Sequence, residues 1–302
     1  MSISVSTVSI KSPEPMSSTL IGIGHERTCS CPPSHLNCLS AKEWIKCQLG
    51  VWQFNYTQRD IRNKSIHPAT FPISLATKVI ELFSHKGELV LDPFVGSGTT
   101  LVAAQDTERN AVGFDLSESY IQLAVNRLGL QLGRADLAQQ AAIADDARRI
   151  SLYLKPSTVS LIFTSPPYAN LLNRARLNKS RRSRKNGQFL KVEQYSQDPR
   201  DLGTLALDDY AKEMGGIFKD LLAILKPKGH CIINVPDMWW GDQRITIHLS
   251  LIQTLREIGY EFRNTIIWDR TNIVNKIGIF GWPSNYITMG TTFEYLLHFR
   301  RP

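Results

Sequence analysis

From Glu88 onward, short apolar runs alternate with helical patterns, and four of the runs stop on a polar side chain: Asp92, Asp115, Asp145 and Ser165. Strands alternating with helices favour a parallel sheet covered on both faces. In such a sheet, ligands gather at the carboxyl ends of the strands, where these four residues fall. The expected architecture is therefore α/β, a Rossmann-like doubly wound sheet, mostly parallel with an antiparallel edge strand. Strands are expected at Glu88–Leu91, Asn110–Phe114, Ala141–Ala144, within Val159–Phe163, and at His230–Val235, Phe262–Trp268 and Glu294–Phe299.

The helical patterns have recognisable ends. Ser40 followed by Glu43 has the spacing of a capping box for a short helix through Lys46. Pro72 suits the first turn of a helix reaching about Ser84, with Leu75, Val79, Leu82 and Phe83 on its inner face. Further helices are expected from Ser117 to about Leu130, from Leu207 to Leu225, and from Ile245 to Ile258 with Gly259 closing the last. The stretch from Trp52 to Ser65 has no clear period and reads as loop.

The first strand leads into Asp92-Pro93-Phe94-Val95-Gly96-Ser97-Gly98-Thr99-Thr100. A strand, a glycine-rich turn and a helix start let a ligand approach the backbone closely. The third glycine of the dinucleotide fingerprint is missing, no Gly-Lys-Ser/Thr follows, and an acid just before the turn disfavours a phosphate. Asp115 lies 23 positions beyond Asp92, a placement suited to both hydroxyls of a ribose or to capping the next helix. Asp145 and Asp146 end the third strand, where either a ligand amino group or plain surface charge accounts for them.

The fourth strand ends in Leu161-Ile162-Phe163-Thr164-Ser165-Pro166-Pro167-Tyr168. Two prolines stiffen the turn and leave carbonyls without ladder partners. Ser165 adds a hydroxyl and Tyr168 a flat ring, a set able to hold an amino group on a planar ring. A Pro-Pro turn capping a core strand is the structural alternative.

Immediately afterwards, Ala169 to Val192 carries eight basic residues and no acid: Arg174, Arg176, Lys179, Arg181, Arg182, Arg184, Lys185 and Lys191. That run equals the whole formal net charge of +8. Its position beside the Pro-Pro loop favours contact with a phosphate backbone. No apolar run approaches the roughly 18 residues of a membrane span, and the Ser-rich start lacks the apolar region of a secretory signal. A cytoplasmic location is expected. Residues 1–38 are expected to be disordered or loosely packed, and 39–302 to form one domain with a basic insertion over 169–206.

Cys29, Cys31, Cys38 and Cys47 lie near His25 and His35 but lack paired Cys-x2-Cys knuckles. The expectation is reduced thiols and no metal, with Cys231 a small core residue.

Taken together, DPFVGSGTT, TSPPY and HPATFP resemble the cofactor loop, catalytic loop and methionine-end segment of the S-adenosylmethionine-dependent DNA amino-methyltransferases. The resemblance covers roughly Trp52 to Arg300 and implies a class I methyltransferase fold. It implies that Asp92, Phe94, Gly96 and Gly98 line the cofactor, that Asp115 takes its ribose, and that Asp145 or Asp146 takes its adenine. Thr70 and Pro72 would sit near its methionine carboxylate. Ser165 and the Pro166 carbonyl would hold the target amino group in the Pro166-Pro167 turn, and Tyr168 would stack on a base flipped from double-stranded DNA.

The Ser-Pro-Pro-Tyr form is closer to enzymes acting on cytosine N4 than on adenine N6. The family also implies a place beside a restriction endonuclease, while the oligomeric state stays open. The cofactor loop precedes the catalytic loop, and no long recognition domain follows the last strand. Sequence recognition would then come from residues 169–206, the N-terminal 66 residues or a partner. Adenine N6 methylation, methylation of an RNA (tRNA) amino group, and a catalytically silent nucleic-acid binder are the alternatives.

Overall fold

The computed structural model describes residues 7–11, 21–61, 71–129, 138–172, 198–240, 243–273, 281–282, 286–287 and 291–302. In chain order the elements are β1 (Thr7–Lys11), α1 (Ala41–Cys47), β2 (Val51–Gln53), α2 (Gln58–Ile61), α3 (Ile73–Phe83), β3 (Leu89–Asp92), α4 (Thr99–Asp106), β4 (Asn110–Asp115) and α5 (Glu118–Gly129). They continue as β5 (Gln140–Ala144), β6 (Val159–Thr164), α6 (Leu207–Ile224), β7 (Leu225–Val235), β8 (Met238–Trp240), β9 (Gln243–Ile245), α7 (Ile247–Ile258), β10 (Glu261–Asp269), β11 (Gly281–Trp282), β12 (Tyr286–Ile287) and β13 (Phe293–Arg300).

The local signals act where the sequence places them. Ser40 and Glu43 form the reciprocal capping box of α1, Pro72 is the N-cap residue of α3, and Gly259 ends α7 with φ 116°. Alternation along the strands then sorts side chains onto two faces. Leu89, Leu91, Val112, Phe114 and Ile143 pack against α6 and α7. Val90, Ala111, Leu161 and Phe163 pack against α3, α4 and α5. Two apolar layers thus enclose a sheet whose inner strands are buried throughout.

Nine strands form that sheet in the order β1-β5-β4-β3-β6-β7-β13-β10-β2. The order reverses beside β3, between β4 and β6, and both connections leave the carboxyl ends free for a ligand. The doubly wound, mostly parallel expectation therefore describes the fold, with one correction. The antiparallel strand is not at an edge: β13 runs between β7 and β10, antiparallel to both. A final hairpin-like return lets Phe293–Arg300 fill that interior slot, a long-range pairing with no local sequence signature.

The described parts of residues 1–38 make specific contacts with the domain. Thr7–Lys11 adds a parallel strand to β5. Further on, Ile21 N–H donates to the Tyr153 carbonyl at 2.9 Å and Thr28 N–H to the Lys86 carbonyl at 2.9 Å. Ile21 and Ile23 also pack against the core. Trp52 and Gln53, expected as loop, belong to β2, which pairs with β10. Among the described residues, no helix is long and apolar enough to cross a membrane.

Candidate active site

A cleft of about 1000 Å³, counted to its open mouth, lies over the carboxyl ends of β3, β4, β5 and β6. Its lining brings together Asp92, Phe94, Gly96, Asp115, Asp145, Asp146 and the whole Ser165-Pro166-Pro167-Tyr168 turn. The two loops singled out in the sequence, 72 residues apart by the Asp92–Thr164 pair, therefore face one space.

Asp92 is the lock between them. One carboxylate oxygen accepts from Thr164 Oγ1 at 2.6 Å and from Phe94 N–H at 3.1 Å; the other accepts from Thr100 Oγ1 at 2.6 Å. Burial raises its carboxyl to about 6, and the three hydrogen bonds oppose that rise. Thr164 and Thr100 are fully buried. The side chain expected to touch a ligand thus fixes the end of β6, the start of α4 and its own loop. Replacing Thr164 with valine keeps the shape and deletes one charge-assisted bond. It is expected to cost about 1–3 kcal/mol, read as a lower urea midpoint at unchanged slope; an unchanged midpoint would remove this role.

Asp115 shapes the cleft floor from the tip of β4. Its oxygens accept from Gly96 N–H at 3.0 Å and Ser117 N–H at 2.8 Å. Burial again pushes the carboxyl up to about 6, and Asp201 adds repulsion. The Ser117 bond, at the approach to α5, accords with the capping reading of this acid. Each oxygen accepts one N–H and keeps lone-pair capacity for a diol.

The glycines divide their work. Gly96 turns the loop at φ 49°. Gly98, expected to face a ligand, instead packs on α5: with φ 84°, its added Cβ would lie 2.6 Å from Ala124 Cβ. Gly113 was not singled out, yet a Cβ there would lie 2.5 Å from Val95 Cγ2. Its bareness lets the loop settle onto β4.

At β5, Asp145 is committed internally, accepting from Tyr153 OH at 2.6 Å and Arg149 Nη1 at 3.2 Å. Asp146 accepts from Arg148 N–H and Nη1, both at 2.9 Å. At β6, Ser165 Oγ and Tyr168 OH lie 2.9 Å apart. The turn closes on Ala169 at φ 49°, and Asn170 N–H donates to the Leu205 carbonyl at 2.9 Å.

Several lining residues had no sequence reading. Phe71 packs on Phe163 with ring centroids 5.0 Å apart, next to Pro72, which caps α3 outside the lining. Tyr120, Arg200 and Asp201 also line the cleft. Asp201 belongs to the span read as a basic insertion, and burial raises its carboxyl. Acids reappear from Glu193 onward, and Asp198 and Asp201 continue them, which is the signal that marks where that basic run ends. Thr70 and the basic residues Arg174, Arg176, Lys179, Arg181, Arg182, Arg184 and Lys185 lie outside the described residues.

Acids outnumber bases in the lining, with Asp92, Asp115, Asp145, Asp146 and Asp201 against Arg148 and Arg200. Such a floor repels phosphate and suits a ligand carrying positive charge.

The DNA methylase family model (N6_N4_Mtase) matches residues 32–126 and 159–302. The chain belongs to this DNA methylase family. Its members are S-adenosylmethionine-dependent amino-methyltransferases. Among curated relatives, this chain is 40% identical over 89 residues to the type II methyltransferase M.BglI of Bacillus subtilis, covering 29% of this chain and 24% of that one. It is 35% identical over 86 residues to the type II methyltransferase M.HpaI of Haemophilus parainfluenzae, covering 28% and 27%. The matches thus span about a quarter of those relatives' length. Among solved structures, TrmN from Thermus thermophilus is 16% identical with a TM-score of 0.47, covering 79% of this chain and 52% of that one.

Proposed function

We propose that this methylase transfers a methyl group from S-adenosylmethionine to an exocyclic amino group of a DNA base, with cytosine N4 as the target. The observation that carries the reading is the shared cleft, in which the Ser165-Pro-Pro-Tyr168 turn faces a carboxylate-lined floor. A cationic sulfonium fits that charge better than a nucleoside phosphate does. Asp115 is the residue to hold the ribose hydroxyls. Asp145 or Asp146 is the acid to meet adenine; both already accept hydrogen bonds, Asp145 from Tyr153 and Arg149 and Asp146 from Arg148. Phe94, Gly96 and the start of α4 would border the methionine end, together with Phe71.

The cofactor supplies a methyl group already activated for displacement. The chain's own task is alignment. Ser165 Oγ and the Pro166 carbonyl accept hydrogen bonds from the amino group, drawing its lone pair out of conjugation with the ring. Held there, the cofactor would supply the methyl group and depart as the neutral thioether, and the amino nitrogen would lose one proton to solvent. Tyr168 holds the extruded base by stacking. No covalent adduct to the ring is needed, and the loop offers no thiol.

Ser165 at the head of the turn supports cytosine N4. The basic residues from Arg174 to Lys185 supply phosphate contacts on this reading. Nucleoside mass spectrometry after incubation with cofactor and either DNA or tRNA tests polymer, base and atom together. N4-methylcytosine in DNA is expected. N6-methyladenine would overturn the base assignment, methylated tRNA the polymer, and absence of any product with cofactor bound would favour a silent binder.

A further inference from the structure

At the opposite end of β3 from the cleft, three cysteines meet a histidine that their spacing did not suggest. Cys29, Cys31 and Cys38 precede α1, and His85 lies in the turn from α3 to β3. Their ligand atoms all lie within 4.8 Å of one another. His85 Nδ1 is 3.3 Å from Cys29 Sγ and 3.5 Å from Cys38 Sγ. A tetrahedral zinc with ordinary Zn–S and Zn–N bonds has S···N edges of about 3.5 Å and S···S edges of about 3.8 Å.

The surroundings suit a metal as well as the distances do. His85 is buried, and its Nε2 lies 2.9 Å from the His35 carbonyl oxygen. A carbonyl only accepts, so Nε2 carries the proton and Nδ1 turns its lone pair toward the sulfurs. Lys86 N–H points at Cys38 Sγ from 3.4 Å, a backbone donor of the kind that supports a thiolate. A disulfide would join two of the three sulfurs and leave the third beside an imidazole without a bond to make.

We propose that Cys29, Cys31, Cys38 and His85 bind one zinc ion in a closed Cys3His site. Four protein ligands fill a tetrahedron and leave no open position, so the site is structural. It departs from the expectation of metal-free thiols, which weighed only His25 and His35 as partners; the proposed fourth ligand stands 47 positions beyond Cys38.

The ion would staple residues 26–40 to the α3–β3 turn. Weaker contacts already mark that seam: Asn37 Nδ2 donates to the Leu82 carbonyl at 2.8 Å, and Arg27 pairs with Glu88 at 3.3 Å. The fit is close enough that a Cβ on Gly87 would lie 2.5 Å from the Glu26 carbonyl oxygen. Metal binding here would therefore be folding energy for a segment with few apolar anchors.

The test is elemental analysis of the full-length protein purified without chelator, supported by intact mass under native conditions. One zinc per chain is expected. Cys38→Ser should drop zinc to background, His85→Cys should retain it, and Cys47→Ser, outside the cluster, should leave it unchanged. A mercurial reagent added to the wild type should release the zinc and speed tryptic cleavage after Arg27 several-fold. Folded, cofactor-binding protein that stays metal-free when supplied with zinc would overturn the site. So would iron in its place, a disulfide among the three cysteines, or equal metal loss in Cys47→Ser.

Discussion

Asp115→Ala is expected to weaken S-adenosylmethionine binding by on the order of 10²-fold to 10⁴-fold, because two charge-assisted hydrogen bonds of about 1.5–3 kcal/mol each are lost. The substitution also frees Gly96 N–H and Ser117 N–H, so loop loosening must be separated from ligand contact. A cofactor analogue lacking both ribose hydroxyls makes that separation. It should bind the wild type poorly and be nearly indifferent to Asp115→Ala. If the analogue and the natural cofactor lose affinity equally on mutation, Asp115 acts only on the loop.

The same residue sets a pH dependence. Burial raises the Asp115 carboxyl to about 6 in the free protein. The charged form is the one that accepts from two hydroxyls, so binding pulls its pKa down. Affinity is therefore full above pH 6 and falls as pH drops through that value, by about tenfold per unit for one proton. Asp92, also held near 6 by burial, steepens the fall if its protonation releases Thr164. Calorimetry on either side of pH 6 checks this, and flat affinity below it would contradict the assignment.

What the sequence disclosed and what it hid differ by the range of the interaction. Strand ends at Asp92, Asp115, Asp145 and Ser165 were legible because each is a local event, an apolar run meeting a polar stop. The capping box at Ser40 and the left-handed glycine at the end of α7 were legible for the same reason. The position of β13 inside the sheet was hidden, since its partners lie in β7 and β10 and nothing within Phe293–Arg300 names them. Likewise Thr164 reads as one more strand residue until the fold brings it to Asp92.

Motif membership also concealed a division of labour. Gly96 and Gly98 belong to one glycine-rich turn, but one bends the cofactor loop and the other makes room for Ala124. Asp145 and Asp146 are adjacent acids, but one is spent on Tyr153 and the other caps the turn at Arg148. A short motif states which residue types are needed; only the packing around each states why.

The second large effect is expected at the turn itself. Ser165→Ala should lower turnover by on the order of 10²-fold to 10³-fold, the usual loss when one preorganised hydrogen-bond partner of a reacting group is removed, with cofactor binding unchanged. Tyr168→Ala should lose on the order of 10-fold to 10²-fold through stacking worth about 1–3 kcal/mol. The 2.9 Å contact between Ser165 Oγ and Tyr168 OH makes a third variant informative. Tyr168→Phe keeps the ring but removes the hydroxyl that engages Ser165. If the tyrosine serves the base by stacking, phenylalanine should restore most of the activity lost in alanine. If phenylalanine is as poor as alanine, the hydroxyl is what matters, and Tyr168 acts by orienting Ser165 toward the amino group. Turnover at the wild-type rate in Tyr168→Ala would remove both roles.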